Sequence, residues 1–323
     1  MVILAGALAG ATIYYAIATC RIQKASEGAV DAWRTQSEVT VRLNVVIRAS
    51  WAQETLCMKE NTVKHKAQLL LVILFAAMSL LGCNGVRTIT TDTTLTADHN
   101  GQIVIGADGI TLDGNGYVIR GCGTGNGIKL VSRTGVTIKN CIVTNFDDGI
   151  QLNGSHDNVF RNNKVHHNTN EGFDIEGSDR NTFRGNTSED NGRDGFDMED
   201  SEYNEFINNE ATGNGTSGSG GNGVELDRCS NNTFTGNTSS NNLRNGFSLD
   251  DSPDNDFEEN TADNNGRRGF QIETSDDNTF SDNDACGNSV DDARQQGCTG
   301  NVFCGNTFCT TDGIPAGYDS PCP

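Results

Sequence analysis

The tripeptide Asn-x-Phe begins at Asn158 and returns at Asn181, Asn204, Asn232, Asn255, Asn278 and Asn301, in steps of 23, 23, 28, 23, 23 and 23 residues. A chain this periodic folds as a stack of equivalent units, each touching only its neighbours. Two more asparagine rows keep the same step: Asn163, Asn186, Asn209, Asn237, Asn260, Asn283 and Asn306, then Asn168, Asn191, Asn214, Asn242, Asn265 and Asn288. A fourth register is Gly followed by an apolar residue, at Gly149-Ile150, Gly172-Phe173, Gly195-Phe196, Gly223-Val224, Gly246-Phe247 and Gly269-Phe270. Within each unit apolar and polar residues alternate, which is the period of a β-strand. Strands of three or four residues cannot bury a face as one flat sheet. Coiling the chain so that each 23-residue circuit lies about 4.8 Å above the last closes a core from one apolar row per strand.

The expected fold is therefore all-β, a single-stranded parallel solenoid of nine or ten turns with Phe160, Phe183, Phe206, Phe234, Phe257 and Phe280 stacked inside. Asparagine at the corners suits left-handed backbone angles and bonding along the stack, and the glycine before each apolar row offers the same freedom. Small residues at one inward point (Val165, Ser188, Ala211, Ser239, Ala262, Ala285) imply a narrow interior. Weaker opening coils are read at Ile103–Ile105, Ile110–Ile119, Gly127–Leu130 and Val136–Asn140. A propeller blade needs roughly 40 residues and a leucine-rich repeat needs its leucines; neither pattern occurs. Polarity alone would suggest disorder, but four registers over seven coils outweigh it.

The first quarter of the chain differs. Apolar runs span Val2–Thr19 and Leu69–Leu81. Lys59, Lys64 and Lys66 precede the second, and Leu80-Leu81-Gly82-Cys83 ends it, an arrangement similar to a bacterial lipoprotein signal in which Cys83 receives the lipid. Met58 stands at a suitable distance to start such a signal. The sequence divides on this reading into an upstream extension (1–57), a signal peptide (58–82), a linker (83–95), the repeats (96–285), and a last coil with a cysteine-rich cap (286–323); Val2–Thr19 as a membrane anchor is the alternative. Export makes disulfides available, and Cys286, Cys298, Cys304, Cys309 and Cys322 crowd into the cap, while Cys122, Cys141 and Cys229 lie earlier. The spacing is not that of a zinc ribbon, and no pairing follows from it.

Asp108-Gly109-Ile110-Thr111-Leu112-Asp113-Gly114-Asn115-Gly116, followed by Gly-Ile-x-Leu and Asn-x-Phe-x-x-Asn coils, resembles the right-handed parallel β-helix repeat family. That family is related to pectate lyases, alginate epimerases and lyases, and the periplasmic NosD protein. The resemblance covers roughly residues 96–310. It implies the pectin-lyase-like solenoid; the matching residues are structural and imply no particular reaction.

Chemistry is expected on outward positions of one strand row. Asp174, Asp197 and Glu225 stand about 5 Å apart up the stack, with Glu176, Glu199 and Asp227 beside them. Carboxylates at that spacing repel, and a hard cation with oxygen ligands, Ca²⁺ above all, would relieve them. All six are candidate metal ligands, and Asp174, Asp197 and Glu225 are candidate catalytic acids. Arg193, Arg228 and Tyr203 are candidates for a groove beside them. The five extra residues of the 28-residue step fall in Gly215–Asn222, where a loop leaves the stack just before Glu225. Gly172-Phe173-Asp174 and Gly195-Phe196-Asp197 resemble the start of an epimerase Gly-Phe-Asp-Pro-His motif without its Pro-His. Asp147-Asp148-Gly149-Ile150 resembles part of a polygalacturonase pattern without its Gly-His-Gly. His166-His167 stacks near Glu189 and Asp190; copper binding, the NosD-like alternative, calls for more His or Met than this.

The chain carries 43 Asp and Glu against 23 Lys and Arg, a net charge of −20. That balance disfavours a nucleic-acid partner or adhesion to anionic lipid headgroups. Two functions are expected to compete: an extracytoplasmic, lipid-anchored protein that binds or acts on a polysaccharide or cell-surface glycan, as a lyase or hydrolase if an enzyme, and a non-catalytic adhesion or spacer rod. A metal-maturation accessory is a third.

Overall fold

The computed structural model describes residues 85–323 except 219, 321 and 323. The lipoprotein signal, Cys83, Met58 and Val2–Thr19 lie outside the described residues.

Every strand pairing is parallel, and the strands fall on three faces. The first face is an eleven-stranded sheet running from Val86–Ile89 to Thr311–Asp312; the second has ten strands. The third has seven, continued through single bridges at Thr261 to a last pair, Asp284–Ala285 and Thr307–Phe308. Ten steps of 4.8 Å make the first face about 48 Å tall. The expected register holds: Phe173 pairs with Phe196 and Phe196 with Val224, so each 23- or 28-residue segment is one circuit. The opening coils fall where expected, with strands at Gln102–Ile105, Thr111–Asp113, Val118–Arg120, Ile128–Val131 and Thr137–Lys139. Val86–Ile89, inside the span read as a linker, already pairs with Gln102–Ile105, and the last coil runs through Asp291–Gln296 and Val302–Cys304.

The core is a pair of phenylalanine columns. Rings at 160, 183, 206, 234, 257 and 280 stack face to face 4.5–5.0 Å apart; those at 173 and 196, and at 247 and 270, form a second column meeting the first edge-on. Each ring buried beside its coil neighbours gains dispersion on both faces.

Two expectations about the corners are corrected. The residue before each of the twenty ladder asparagines is the one with positive φ, at Asp157, Asn162, His167, Arg180, Gly185, Asp190, Tyr203 and onward. The asparagines themselves supply the hydrogen bonds expected along the stack. Asn186 Oδ1 accepts both the backbone N–H and the side-chain N–H of Asn163 at 3.0 Å, and its own amide donates to the Phe160 carbonyl at 2.9 Å. This saturates buried polar groups that water cannot reach. The glycines before the apolar row do not need positive φ either. A Cβ on Gly172 would stand 1.9 Å from Ser188 Oγ and 2.7 Å from the Gly195 carbonyl oxygen, so glycine is required by closeness, as the narrow interior implied.

A serine row forms another ladder: the backbone N–H of Ser155 donates to Ser178 Oγ, and that of Ser178 to Ser201 Oγ. At the C-terminal end Cys286 bonds Cys309 one circuit on, and Cys304 bonds Cys322. Cys298 stays a free thiol, as do the buried Cys141 and Cys229, so the cap is stapled by fewer cysteines than crowd there.

Candidate functional site

The outward row of the first face is built as read. Gln151, Asp174, Asp197, Glu225, Ser248 and Gln271 are successive register partners, and so are Asn153, Glu176, Glu199, Asp227, Asp250 and Glu273. The two rows have different surroundings. Glu176 and Glu199 are exposed. Arg228 pairs with Glu199, with Asp200 at 2.8 Å and with Asp227 at 2.5 Å, offsetting one of the three charges on that flank. Arg228 is thus occupied on the outer row rather than beside Asp174, and Tyr203 is 56% exposed at a separate corner.

Asp174, Asp197 and Glu225 face a column that the repeat pattern did not single out. The residue before each close-approach glycine (Asp148, Glu171, Asp194, Asn222, Asn245, Arg268) stacks on its counterpart one coil away. The Gly149 N–H donates to the Glu171 carbonyl, that of Gly172 to Asp194, that of Gly195 to Asn222 and that of Gly223 to Asn245, all within 3.1 Å. The column sits where the third face turns into the first, under the inserted loop. Glu171 and Asp194 are buried, and one oxygen each of Glu171, Asp194 and Asp197 lie within 4.8 Å of one another.

The loop explains why Asp194 is dry. Gly221 and Asn222 donate backbone N–H bonds to Asp194 Oδ1 at 3.2 and 2.6 Å, and the Asn222 amide donates to Glu225 Oε2 at 2.9 Å. Gly220, at φ +92°, passes so close that an added Cβ would lie 3.4 Å from Asp194 Oδ2. That second oxygen is buried with no hydrogen-bond partner. Asp148 Oδ1 is likewise without one. Glu171 Oε1 lies 2.9 Å from Arg193 Nη1 but out of line for a hydrogen bond. Arg193, alone of the three groove candidates, lies at this cluster.

Burial and mutual repulsion govern the charges here. Burial, then the neighbouring Asp148 carboxyl, pushes Glu171 up to about 8. Asp197 also rises to about 8, through burial first and then the carboxyls of Asp194, Glu225 and Asp174. Asp174 rises to about 6 by burial, partly opposed by its 2.7 Å bond from the Gln151 amide. Asp194 and Glu225 move the same way for the same leading reason. At neutral pH the cluster therefore keeps protons that ordinary carboxyls have lost. Such a group can donate a proton, or exchange it for a cation.

The histidine pair is elsewhere. His166 is the register partner of Glu189 on the third face, with its Nδ1 2.7 Å from His167 Nδ1, and Lys164 engages the Glu189 carboxylate at 2.5 Å. Burial, then His167, lowers the His166 pKa.

Parallel coils on three faces, with a buried carboxyl column at one corner, define a right-handed parallel β-helix protein. Its coils are those of a right-handed parallel β-helix: a model described as "Right handed beta helix region" matches residues 82–220, and one described as "Periplasmic copper-binding protein (NosD)" matches residues 208–312. No curated protein matches. Among solved structures, an Azotobacter vinelandii mannuronan C-5 epimerase AlgE6 A-module aligns at 13% identity over 73% of this chain and 78% of its own, with a TM-score of 0.49. The pectate lyase Pel9A aligns at 17% over 75% and 72%, with a TM-score of 0.47. Tailspike protein 2 of an Escherichia coli O157:H7 bacteriophage aligns at 13% over 67% of this chain but only 35% of its own, with a TM-score of 0.45. At such identities the likeness is one of fold alone.

Proposed function

We propose that this protein works outside the cytoplasm and binds a polysaccharide along the corner where the pre-glycine column meets the first face, through a calcium ion held by Glu171, Asp194 and Asp197. The observation that carries the reading is Asp194, a fully buried side chain with its Oδ2 unpartnered and one of its oxygens within reach of the Glu171 and Asp197 carboxyls. A buried acceptor without a partner is costly, and retaining one implies a ligand. Calcium–oxygen bonds of 2.3–2.6 Å let one ion bridge oxygens at this spacing, and calcium accepts further oxygens from sugar hydroxyls or water. Asp174 and Glu225 flank this centre from the adjoining strands and would position the glycan; Asp197 serves as both ligand and proton store. The exposed Glu176 and Glu199 and the half-buried Asp227, with Arg228 among them, fit a solvated flank better than an ion site. The periplasmic name of one matching family and the disulfides in the C-terminal coils support an extracytoplasmic setting, where a lipid on Cys83 would hold the rod at the membrane.

A spacer rod would have no use for orphaned acceptors. The metal-maturation reading is weakened by composition, since residues 208–312, the segment matching the NosD model, contain neither His nor Met.

The test is a calcium titration followed by thermal melting. At about 100 times Kd the ion adds about 2.7 kcal/mol, which for a chain this size raises Tm by about 5–10 °C. Asp194→Asn removes the shift, whereas Glu199→Gln retains it. A wild-type Tm indifferent to calcium, with no glycan bound from a panel of uronic and neutral polymers, refutes the proposal.

A further inference from the structure

We propose that Arg193 is a tethered cation that competes with the ion for Glu171, so that an ion enters the carboxyl cluster only as the guanidinium turns outward and the inserted loop beside it lifts. The idea rests on the calcium reading above and adds how that site is guarded.

Arg193 Nη1 lies 2.9 Å from Glu171 Oε1, yet that buried oxygen accepts no hydrogen bond. The pair is therefore held by charge rather than by forked donors, the weaker of the two ways a guanidinium meets a carboxyl. Glu171 also supplies one of the three oxygens that lie within 4.8 Å of one another. Calcium bonded to it at about 2.4 Å would set two positive charges on one carboxyl, and they would repel. The reach of the guanidinium goes beyond Glu171. Burial raises Glu171, Asp194, Asp197 and Glu225 alike, and the Arg193 charge opposes that rise at each of the four. It thus does from the rim what a bound cation would do from the centre.

The way out is open for this side chain. It is 47% exposed, against 7% for its partner Glu171. Its own backbone is tied down, with the Arg193 N–H donating to the Asn170 carbonyl at 3.0 Å, so the side chain can turn while the coil stays in place. The way in is covered. Asp194 has no access to solvent. A Cβ built on Gly220 would stand 3.4 Å from Asp194 Oδ2 and 3.5 Å from Arg193 Nε, so the inserted loop crosses both groups. Residues 216–220 carry no large apolar side chain to anchor them in the core. Thr216 and Ser217 lie on the preceding coil through N–H bonds to the Asn191 and Gly192 carbonyls at 3.1 and 3.0 Å. The neck of the loop is a pair of glycines at φ +101° and +104°, where a Cβ on Gly221 would come within 2.5 Å of the Gly215 Cα. Two glycines in contact make a hinge on which the five residues between them can lift together. The Gly221 and Asn222 N–H bonds to Asp194 Oδ1 lie on the fixed side of that hinge. Lifting the loop therefore frees Oδ2 while Oδ1 stays held.

The experiment titrates calcium chloride into the full chain by calorimetry and follows the arginine Nε–H resonances by NMR over the same titration. The Arg193 resonance is the one missing from the Arg193→Lys variant. In wild type it is expected to move to the position of a free, solvated arginine as calcium saturates. Arg193→Ala is expected to bind calcium about tenfold more tightly, and Arg193→Lys, which keeps a tethered cation, to stay within about threefold of wild type. Arg244→Ala is the control for charge without contact, since the Arg244 charge also acts on Asp194 and Glu225; it too should stay within about threefold. Calcium bound by wild type with the Arg193 resonance unmoved overturns the proposal while the calcium reading stands. So does an Arg193→Ala affinity no tighter than wild type, or a gain that Arg244→Ala matches. Absence of binding in wild type and every variant overturns both.

Discussion

Two kinds of polar column run up this rod, and they are opposites. The asparagine ladders are closed systems in which each side chain both accepts and donates along the stack, as Asn186 and Asn209 do at 2.9–3.0 Å. The pre-glycine column is as deeply buried, with Asp194 and Glu171 inaccessible or nearly so, yet it leaves acceptor oxygens on Asp148, Asp194 and Asn245 without donors. The coil geometry is the same for both, so the difference lies in chemistry. An amide carries a donor and an acceptor and can satisfy itself by repetition; an ionised carboxylate carries only acceptors and cannot, and this column holds protons in compensation. Columns of the first kind hold the fold together, and a column of the second kind stores unmet interaction for a ligand.

The largest expected effect tests the closed ladders. Asn209→Ala takes the acceptor from both Asn186 donors and frees the Phe183 carbonyl, so it should cost about 3 kcal/mol, read as a lower urea midpoint. Glu171→Gln in calcium-free buffer at about pH 9, where the carboxyl is ionised, should leave that midpoint unchanged or raise it, because it removes a charge that burial disfavours. A large loss at Glu171 would mean the two columns are alike.

A smaller, pH-dependent effect separates them further. Glu171 and Asp197 titrate near 8 in the folded chain, well above the ordinary carboxyl range of about 4. Between those limits the folded state holds more protons than the unfolded one, so stability is full below about pH 4 on their account and falls as pH rises through 8. Calcium-free Tm should therefore decline from pH 5 to pH 8. Glu171→Gln with Asp197→Asn should flatten the decline, and the ladder variant Asn209→Ala should keep the wild-type slope.

The smallest effect concerns the inserted loop. Gly220→Ala meets φ +92° and crowds Asp194 Oδ2, and should cost about 1 kcal/mol. Its clearer signature is a weakened calcium response in the melting assay. An unchanged response would show that the loop is not a wall of the site.

Much of this was legible in the chain. The 23-residue step fixed the register, and with it the phenylalanine stacks and the alignment of Asp174, Asp197 and Glu225. The pre-glycine residues Asp148, Glu171 and Asp194 were equally periodic, but a polar residue at a coil corner ordinarily faces water. Nothing local distinguishes them from the exposed Glu176 and Glu199. The asparagines bond along the stack as expected, but positive φ was misplaced on them: it belongs to their predecessors, a mixture of Asp, Asn, Arg, Gly, His, Tyr and Glu without a common signature.

Sequence periodicity alone thus determined which residues share a row, because a coil of constant length places equal offsets above one another. Tertiary structure alone decided which polar rows are dry. Burial at Asp194 depends on a loop of Gly215–Asn222 folding back to donate two backbone N–H bonds, and on Arg193 settling at Glu171. Those contacts join residues on different coils, and their electrostatic consequence depends on water being excluded, a property of the assembled surface rather than of any segment.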